Sequence, residues 1–183
     1  MEKDLAILIR RSPLTETSLI VHWCSLGHGI VKTVAKGARN PKNKFHGNLD
    51  LFYEAEIEFV HSRTSDLHTL RDIAVLDPRF SIRTSYARTL AAAYFIRLLE
   101  IVCERDAPIP ELFDLLKRAL DYLEKEEPDW KAVIHYESEA AGALGVAAAP
   151  ARAIEAIRAL HHRVPEQREE LRSLLNRPPE GDS

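Results

Sequence analysis

The chain has 183 residues and a formal net charge of −3, with 45% hydrophobic and 29% charged residues. This composition is typical of a soluble globular protein, and the length allows one ordinary domain or two small ones. No apolar run approaches the ~18 residues of a membrane-spanning helix, and MEKDLAILIRR at the amino terminus lacks a signal-peptide cleavage pattern. We therefore expect a cytoplasmic protein with no membrane partner.

Five segments of the amino-terminal half alternate apolar and polar residues with the period of a β-strand. They are residues 5–10, 19–24, 30–36, 49–59 and 65–76. Ser12-Pro13 is predicted to end the first strand. In the third, Val31, Thr33 and Ala35 are predicted to face the core. In the fourth, Glu54, Glu56 and Glu58 are predicted to lie on the outer face.

A long basic segment follows the third predicted strand. Five short strands in about 75 residues with such a loop fit a five-stranded OB barrel. An SH3-like barrel fits the strand count nearly as well, so the periodicity alone leaves both open.

The basic segment is the most distinctive stretch of the chain, because no acidic residue occurs between Gly29 and Leu49. Its second half, KGARNPKNK, is rich in turn formers and predicts a mobile, solvated loop. Charges on such a loop suit an anionic partner; the alternative is a loop that only keeps the protein soluble. The basic residues are Lys32, Lys36, Arg39, Lys42 and Lys44.

Two phenylalanines are candidates for stacking on a nucleic-acid base, since single-strand binding usually adds stacking to charge. Phe45 follows the basic loop, and Phe52 is predicted on the polar face of the fourth strand. The alternatives are that Phe45 closes the mouth of the barrel and that Phe52 packs under helices. Trp23 and Trp130 lie in apolar periodicity and are predicted to be core residues.

The carboxy-terminal half has helical periodicity. A first helix is predicted over residues 82–105, a second from Pro110, and a third that ends near Gly145. Pro150 and Pro165 are each predicted to start a further helix. The expected fold is thus α+β, with a five-stranded barrel domain at 1–77, an all-α domain at 78–176 and a disordered tail at 177–183.

Sequence signatures of an enzyme are absent. There is no GxxxxGK[ST], GxGxxG, HExxH or GxSxG motif. The two cysteines, Cys24 and Cys103, are too far apart for a CxxC zinc site, and the adjacent His161 and His162 would point in different directions on a helix. We therefore expect no catalytic residues, bound metal, cofactor or small-molecule substrate.

Several motifs occur in the same order as in a known family: the strand ILIR, the turn Ser12-Pro13-Leu14-Thr15-Glu16-Thr17, the strand SLIVHWCS, the turn Gly27-His28-Gly29 and the loop AKGARNPKNK. They resemble the amino-terminal domain of the RecO family of bacterial recombination mediators and DNA-annealing proteins. A weaker similarity continues to about Val146. The resemblance implies an OB barrel and binding of single- and double-stranded DNA at the nucleoid. It also implies two protein partners, a RecR-like protein and the acidic, apolar tail of single-strand-binding protein.

The resemblance assigns DNA contacts to Lys36, Arg39, Lys42 and Lys44. Lys32 and Phe45 join them from their positions on the predicted strand and loop. Where the family often has serine, this chain has Asn43, and many members carry a four-cysteine zinc insert that is missing here. An acidic tail needs a basic residue beside an apolar groove, and the candidates on the predicted helices are Arg88, Arg97 and Arg118.

Two other functions fit the sequence. One is a protein-interaction adaptor that has lost DNA binding, in which Glu54, Glu56 and Glu58 neutralise the basic residues. Nine acids against four bases in residues 104–129 favour it. The other is an RNA-binding OB protein, because phosphate contacts do not separate RNA from DNA.

Overall fold

The computed structural model describes residues 1–103, 107–146 and 148–176, and the predicted tail at 177–183 lies outside the described residues. The chain forms two compact units. One unit contains Met1–Arg79 and the described residues of 103–113, and the other contains Phe80–Val102 and the described residues from Asp114 onwards.

A closed barrel of five strands forms the amino-terminal part of the chain. The strands are β1 (Glu2–Pro13), β2 (Leu19–Ser25), β3 (Gly29–Ala35), β4 (Glu54–Val60) and β5 (Leu67–Asp77). They neighbour one another in the order β1-β2-β3-β5-β4, and β1 closes the barrel against β4. All neighbours are antiparallel except β3 and β5, which are parallel. This arrangement confirms the predicted OB-type barrel rather than the SH3-like alternative.

The strand directions divide the connections between two ends of the barrel. β1, β3 and β5 finish at the same end at which β2 and β4 begin. We call this the loop end, because it carries the β1–β2 turn and the long connection 36–53 between β3 and β4. The opposite end carries the β2–β3 and β4–β5 turns.

Alternate side chains fill the barrel as the sequence predicts. Val31, Thr33 and Ala35 of β3 are all buried. Trp23 of β2 is also fully buried, and its Nε1 donates a hydrogen bond to Thr33 Oγ1 at 2.9 Å. A buried indole N–H needs such a partner, so Thr33 allows the largest side chain of the barrel to lie in its core.

The first strand is longer than predicted. Pro13 belongs to β1 and faces Leu19 of β2, so Ser12-Pro13 does not end the strand. Proline lacks an N–H, and the last position of a ladder is one at which that donor can be missing.

The fourth strand begins later than predicted, at Glu54. Phe52 has a φ of 73° and turns the chain, while Leu8 of β1 exchanges 2.9 Å hydrogen bonds with Phe52 N–H and the Tyr53 carbonyl. Phe52 and Glu54 are only 3% and 5% exposed. The predicted outer position of Glu54 is therefore wrong, because the turn at Phe52 interrupts the alternation. Phe52 is not presented to solvent.

The helices are α1 (Tyr86–Val102), α2 (Pro110–Lys125), α3 (Trp130–Ala143), α4 (Ala153–His161) and α5 (Gln167–Leu175), with 3₁₀ turns at Phe80–Thr84 and Pro150–Arg152. α2 begins at Pro110 as predicted, where a proline costs no helical hydrogen bond. The first helix begins later than predicted because residues 80–84 form a 3₁₀ turn. Among the described residues, none of the helices has the length and apolar character to cross a membrane.

Glu137 of α3 connects three helices of the second unit. It is fully buried, and it accepts hydrogen bonds from Tyr94 of α1 at 2.5 Å and from Arg168 of α5 at 2.7 and 3.0 Å. Burial and the Glu137 carboxylate raise the pKa of Tyr94, so the phenol stays protonated and donates. Arg168 also lies 5.0 Å from the ring centre of Trp130. Trp130 is thus half-buried beneath a cation and is not the core residue that the sequence predicts.

A buried ion pair joins the end of β5 to the start of β4. Arg79 is 0% exposed, and its guanidinium donates to Glu54 Oε2 at 2.5 Å and to the Phe52 carbonyl at 3.0 Å. Arg79 has a φ of 44°, and its own N–H donates to Asp77 Oδ1 at 2.9 Å. One side chain therefore satisfies both the buried carboxylate and the carbonyl of the turn that precedes it.

Replacing Arg79 by leucine should destabilise the barrel strongly. Removal of one partner of a buried pair leaves the other charge uncompensated, which costs about 3–5 kcal/mol. The free energy of unfolding, measured with urea, tests this. Lys3→Ala, which removes the exposed Lys3–Glu58 pair, should leave the midpoint almost unchanged. Equal midpoints for the two variants would contradict the prediction.

Candidate nucleic-acid interface

The segment that follows β3 is an ordered series of turns. Backbone hydrogen bonds of 2.9–3.1 Å join Asn40 to Gly37, Asn43 to Asn40, His46 to Asn43 and Asn48 to Phe45. Arg39 N–H donates to the Thr17 carbonyl of the β1–β2 turn at 2.9 Å. The sequence predicts a mobile loop here. In the structure many backbone groups of this segment form hydrogen bonds, which the turn-forming residues do not indicate. We call residues 36–48 the basic loop.

Asn43 holds the two halves of the basic loop together. Its Nδ2 donates to the Lys36 carbonyl at 3.2 Å, and its Oδ1 accepts from Phe45 N–H at 2.9 Å. Gly37 has a φ of 69°, and a Cβ there would lie 2.8 Å from Asn43 Nδ2. The amide thus bridges across the loop, which a serine hydroxyl is too short to do from the same position.

Three of the predicted DNA contacts are exposed cations. Lys36, Arg39 and Lys42 are exposed, and no carboxylate within residues 1–103, 107–146 and 148–176 forms an ion pair with them. The basic loop therefore presents positive charge to solvent at the loop end of the barrel.

The other two predicted cations, the partly buried Lys32 and the exposed Lys44, form ion pairs with exposed aspartates. Lys32 lies 3.2 Å from Asp66, and Lys44 lies 3.0 Å from Asp72. The hydrogen bond and charge of Lys44 lower the pKa of Asp72. Ion pairs at such exposed positions add little stability, so a phosphate group can compete with either carboxylate. Lys32 lies within β3, before the strand reaches the basic loop.

Phe45 is 5% exposed and belongs to the apolar core of the barrel, with Ala38 and Leu49 from the same connection. This burial agrees with the alternative in which Phe45 closes the barrel mouth. Base stacking by Phe45 stays a prediction, and a base would have to reach the ring from the adjacent groove.

A groove of about 570 Å³ lies beside the basic loop. Its apolar lining residues are Pro13, Leu19, Ala38, Phe45 and Leu49. Two arginines, Arg11 and Arg39, also line it, together with His46 and Asp50. The sequence analysis missed Arg11, although the pair Arg10-Arg11 at the end of a predicted strand is a visible signal.

Three histidines lie together at the opposite end of the barrel. Ring centres are 4.5 Å apart for His61 and His68 and 5.6 Å apart for His28 and His61. Asp4 accepts hydrogen bonds from His28 of this group, from Ser25 and from the Gly27 backbone. These bonds lower the pKa of Asp4, although its burial alone would raise it. Among the described residues, no group of three or more His, Cys, Asp or Glu side chains is placed to hold a metal ion.

The cysteines are not placed as nucleophiles. Cys24 and Cys103 are both free. Burial raises the pKa of the Cys103 thiol to about 12 and also raises the pKa of Cys24. Neither thiol ionises near neutral pH, and the thiolate is the reactive form.

An OB barrel with an exposed basic loop is an architecture typical of nucleic-acid-binding proteins. The family model "Recombination protein O N terminal" matches residues 1–79, and "Recombination protein O C terminal" matches residues 83–150. The chain belongs to the RecO family.

Similar proteins include the DNA repair protein RecO of Rhodopirellula baltica, 30% identical over 142 residues, or 77% of this chain and 52% of that protein. The protein of the same name from Thermodesulfovibrio yellowstonii is 30% identical over 125 residues, or 68% and 50%. That from Macrococcus caseolyticus is 28% identical over 127 residues, or 69% and 49%. The chain thus spans about half the length of the curated relatives it matches.

Replacing Asn43 by alanine should loosen the basic loop. Loss of two partly exposed hydrogen bonds should lower the free energy of unfolding by about 1 kcal/mol and speed hydrogen exchange at the Phe45 amide. Asn40→Ala, which removes one local bond to Lys42 N–H, is the matched control. Equal exchange rates in the two variants would show that Asn43 does not hold the loop.

Proposed function

We propose that this protein binds DNA through the basic loop without reading its sequence, and that it acts in recombinational DNA repair as a mediator or annealer of the RecO type. The observation that carries the proposal is a set of three exposed cations, without ion-pair partners in the described part of the chain, on a loop whose backbone is held in place. Membership of a family whose relatives are named DNA repair proteins supports the same function.

The chemistry of the loop suits contact with phosphate. Lysine is a flexible point charge, and base-specific readout in duplex DNA requires rigid bidentate groups aimed at base edges. If four of the five cations reach phosphates, the logarithmic salt slope on a single strand is about −3. An annealing protein needs affinity of this kind, because it holds strands of any sequence.

The adaptor alternative requires neutralised cations, and the geometry gives it little support. Glu54 pairs with Arg79, and Glu58 pairs with Lys3 at 2.5 Å. The acids that do pair with basic candidates, Asp66 and Asp72, are about half exposed. RNA binding is the other alternative, and an RNA oligonucleotide in the binding experiment distinguishes it. We also propose that the protein is not an enzyme.

Changing Lys36, Arg39, Lys42 and Lys44 together to alanine should remove most DNA binding. Each lost phosphate contact should flatten the salt slope on a single strand by about 0.7, and the loss should be similar for all sequences. Fluorescence anisotropy of labelled single-stranded DNA, duplex DNA and RNA across a salt series measures both quantities.

The matched control replaces four exposed basic residues elsewhere, Lys125, Arg152, Arg158 and Arg163, and causes the same change in net charge. It should keep its affinity and salt slope. Both variants must retain the wild-type circular dichroism spectrum. If the folded loop variant still bound DNA with the wild-type slope, the basic loop would serve only solubility.

We also propose that the acidic, apolar tail of single-strand-binding protein docks on the helical unit, and that a RecR-like protein is a further partner. An apolar groove of about 430 Å³ lies among α1, α2 and α3, and its lining includes Phe95, Leu115, Tyr122, Tyr136, Arg118, Lys131 and His135. All three candidate arginines form ion pairs: Arg118 with Asp114 at 2.7 Å, Arg88 with Glu127 and Arg97 with Glu100. Of the three, Arg118 lines this groove, and its pair with Asp114 is more than half exposed, so an acidic peptide can compete for it.

Replacing Arg118 by glutamate should weaken binding of an acidic, apolar tail peptide by about tenfold, because a hydrogen bond to a charged group contributes about 1.5–3 kcal/mol. Arg97→Glu makes the same charge change outside the groove and should have little effect. Calorimetric titration at low salt measures both affinities. A tail peptide that binds both variants equally well would exclude this groove as its site.

A further inference from the structure

We propose that the groove beside the basic loop holds one unpaired nucleobase, stacked against Arg11, while Arg39 binds the adjoining phosphate. This inference rests on the proposed DNA binding and deepens it, since it gives the site a preference for unpaired strands. Phosphate contacts alone confer no such preference.

The groove has the size and surface of a site for a flat, largely apolar group. Its volume of about 570 Å³ falls in the range of about 300–1,000 Å³ that is usual for small-molecule sites. Leu49 and Phe45 are almost fully buried and give it an apolar base, and Pro13 and Leu19 add apolar surface. It is an open groove and not a sealed cavity, so a strand can enter without the barrel opening.

Arg11 supplies a fixed plane. Its Nη1 donates to the Leu49 carbonyl at 2.7 Å, and its Nη2 lies 3.0 Å from Asp50 Oδ1, yet 45% of its side chain is exposed. A guanidinium held at both Nη atoms has few orientations left to lose, and its face remains available for stacking on a base. Because Asp50 offsets its charge, Arg11 contributes a surface for stacking more than attraction for phosphate.

Arg39 has the complementary role. It lines the same groove but has no ion-pair partner among the residues described, and its backbone is tied to Thr17. Its charge is therefore fully available to the phosphate that follows a base in the groove. In this proposal Arg11 contacts the base and Arg39 contacts the phosphate. The two contacts can therefore be tested by two independent measurements.

The occupant has to be unpaired. The lining residues come from the end of β1, the start of β2 and the connection after β3, so the groove lies at the edge of the barrel mouth. A base inside a duplex is already stacked on both faces, so it can reach Arg11 only after leaving the helix, which costs a few kcal/mol. Duplex DNA can bind the outer cations of the loop without filling the groove.

The test compares dT₁₂ with a twelve-unit abasic strand that carries the same phosphates. The wild-type protein should bind dT₁₂ at least about fivefold more tightly, as stacking of one base predicts. In Arg11→Met this ratio should fall towards one with the salt slope unchanged. In Arg39→Met the ratio should persist, and the slope should flatten by about 0.7. Arg63→Met, in the β4–β5 turn at the opposite end, is the control for both.

A second measurement needs no variant. A single 2-aminopurine in an otherwise dT strand should lose fluorescence on binding, as it does when it stacks, and the same base in a duplex should not. Equal affinity of the wild-type protein for dT₁₂ and the abasic strand, or unchanged fluorescence on binding, overturns the groove proposal but leaves the proposed function intact. Failure to bind either strand overturns both.

Discussion

The ion pair between Arg79 and Glu54 determines where the long connection after β3 ends. It joins the chain after β5 to the first residue of β4, and it also holds the Phe52 carbonyl of the turn between the connection and the strand. The Arg79 side chain is fully buried and that of Glu54 is almost fully buried, so separating the two would leave a buried charge without its partner. This ion pair therefore fixes the position of the chain at the start of β4.

From that point the connection is supported at both of its ends and in its middle. Ala35, just before the connection, and Phe45 and Leu49 within it are buried in the barrel core, and Asn43 forms hydrogen bonds across the part between them. The cations alternate with these anchors, so Lys36, Arg39 and Lys42 are exposed while the backbone that carries them is fixed. The backbone positions that carry these charges are therefore set by the barrel.

Much of the fold follows from local patterns in the sequence. The strand periodicity, the turn at Gly29 and the helix start at Pro110 all act within a few residues. The turn and the helix start are found where the pattern indicates, and all five strands are found, although β1 ends later and β4 begins later than predicted. The burial of Glu54 could not be predicted, because it depends on Arg79, 25 residues later, and on a positive φ at Phe52 that no residue type there favours. The position of Arg11 in the candidate site could not be predicted for the same reason, because only the closed barrel places it in one groove with Arg39.

The RecO resemblance also depends on a local feature of the sequence, the motif of the basic loop. The basic residues could be found from sequence because the loop motif is local, but the order of the loop could not, since turn-forming residues also predict mobility. The hydrogen bond from Asn43 to the Lys36 carbonyl spans seven residues, and Asn43 passes so close to Gly37 that a Cβ there would lie 2.8 Å from its Nδ2.

The burial of Phe45 has a consequence for the thermodynamics of binding. A loop that first becomes ordered around its ligand loses conformational entropy at that moment. Here the aromatic ring of the loop already lies in the core, and its backbone bonds are already made, so that entropy is lost when the barrel folds. Association with a charged strand should then draw its free energy mainly from released counterions, with little change in heat capacity from the protein. The basic loop is thus ordered together with the barrel, through the burial of Phe45 and the hydrogen bonds of its backbone.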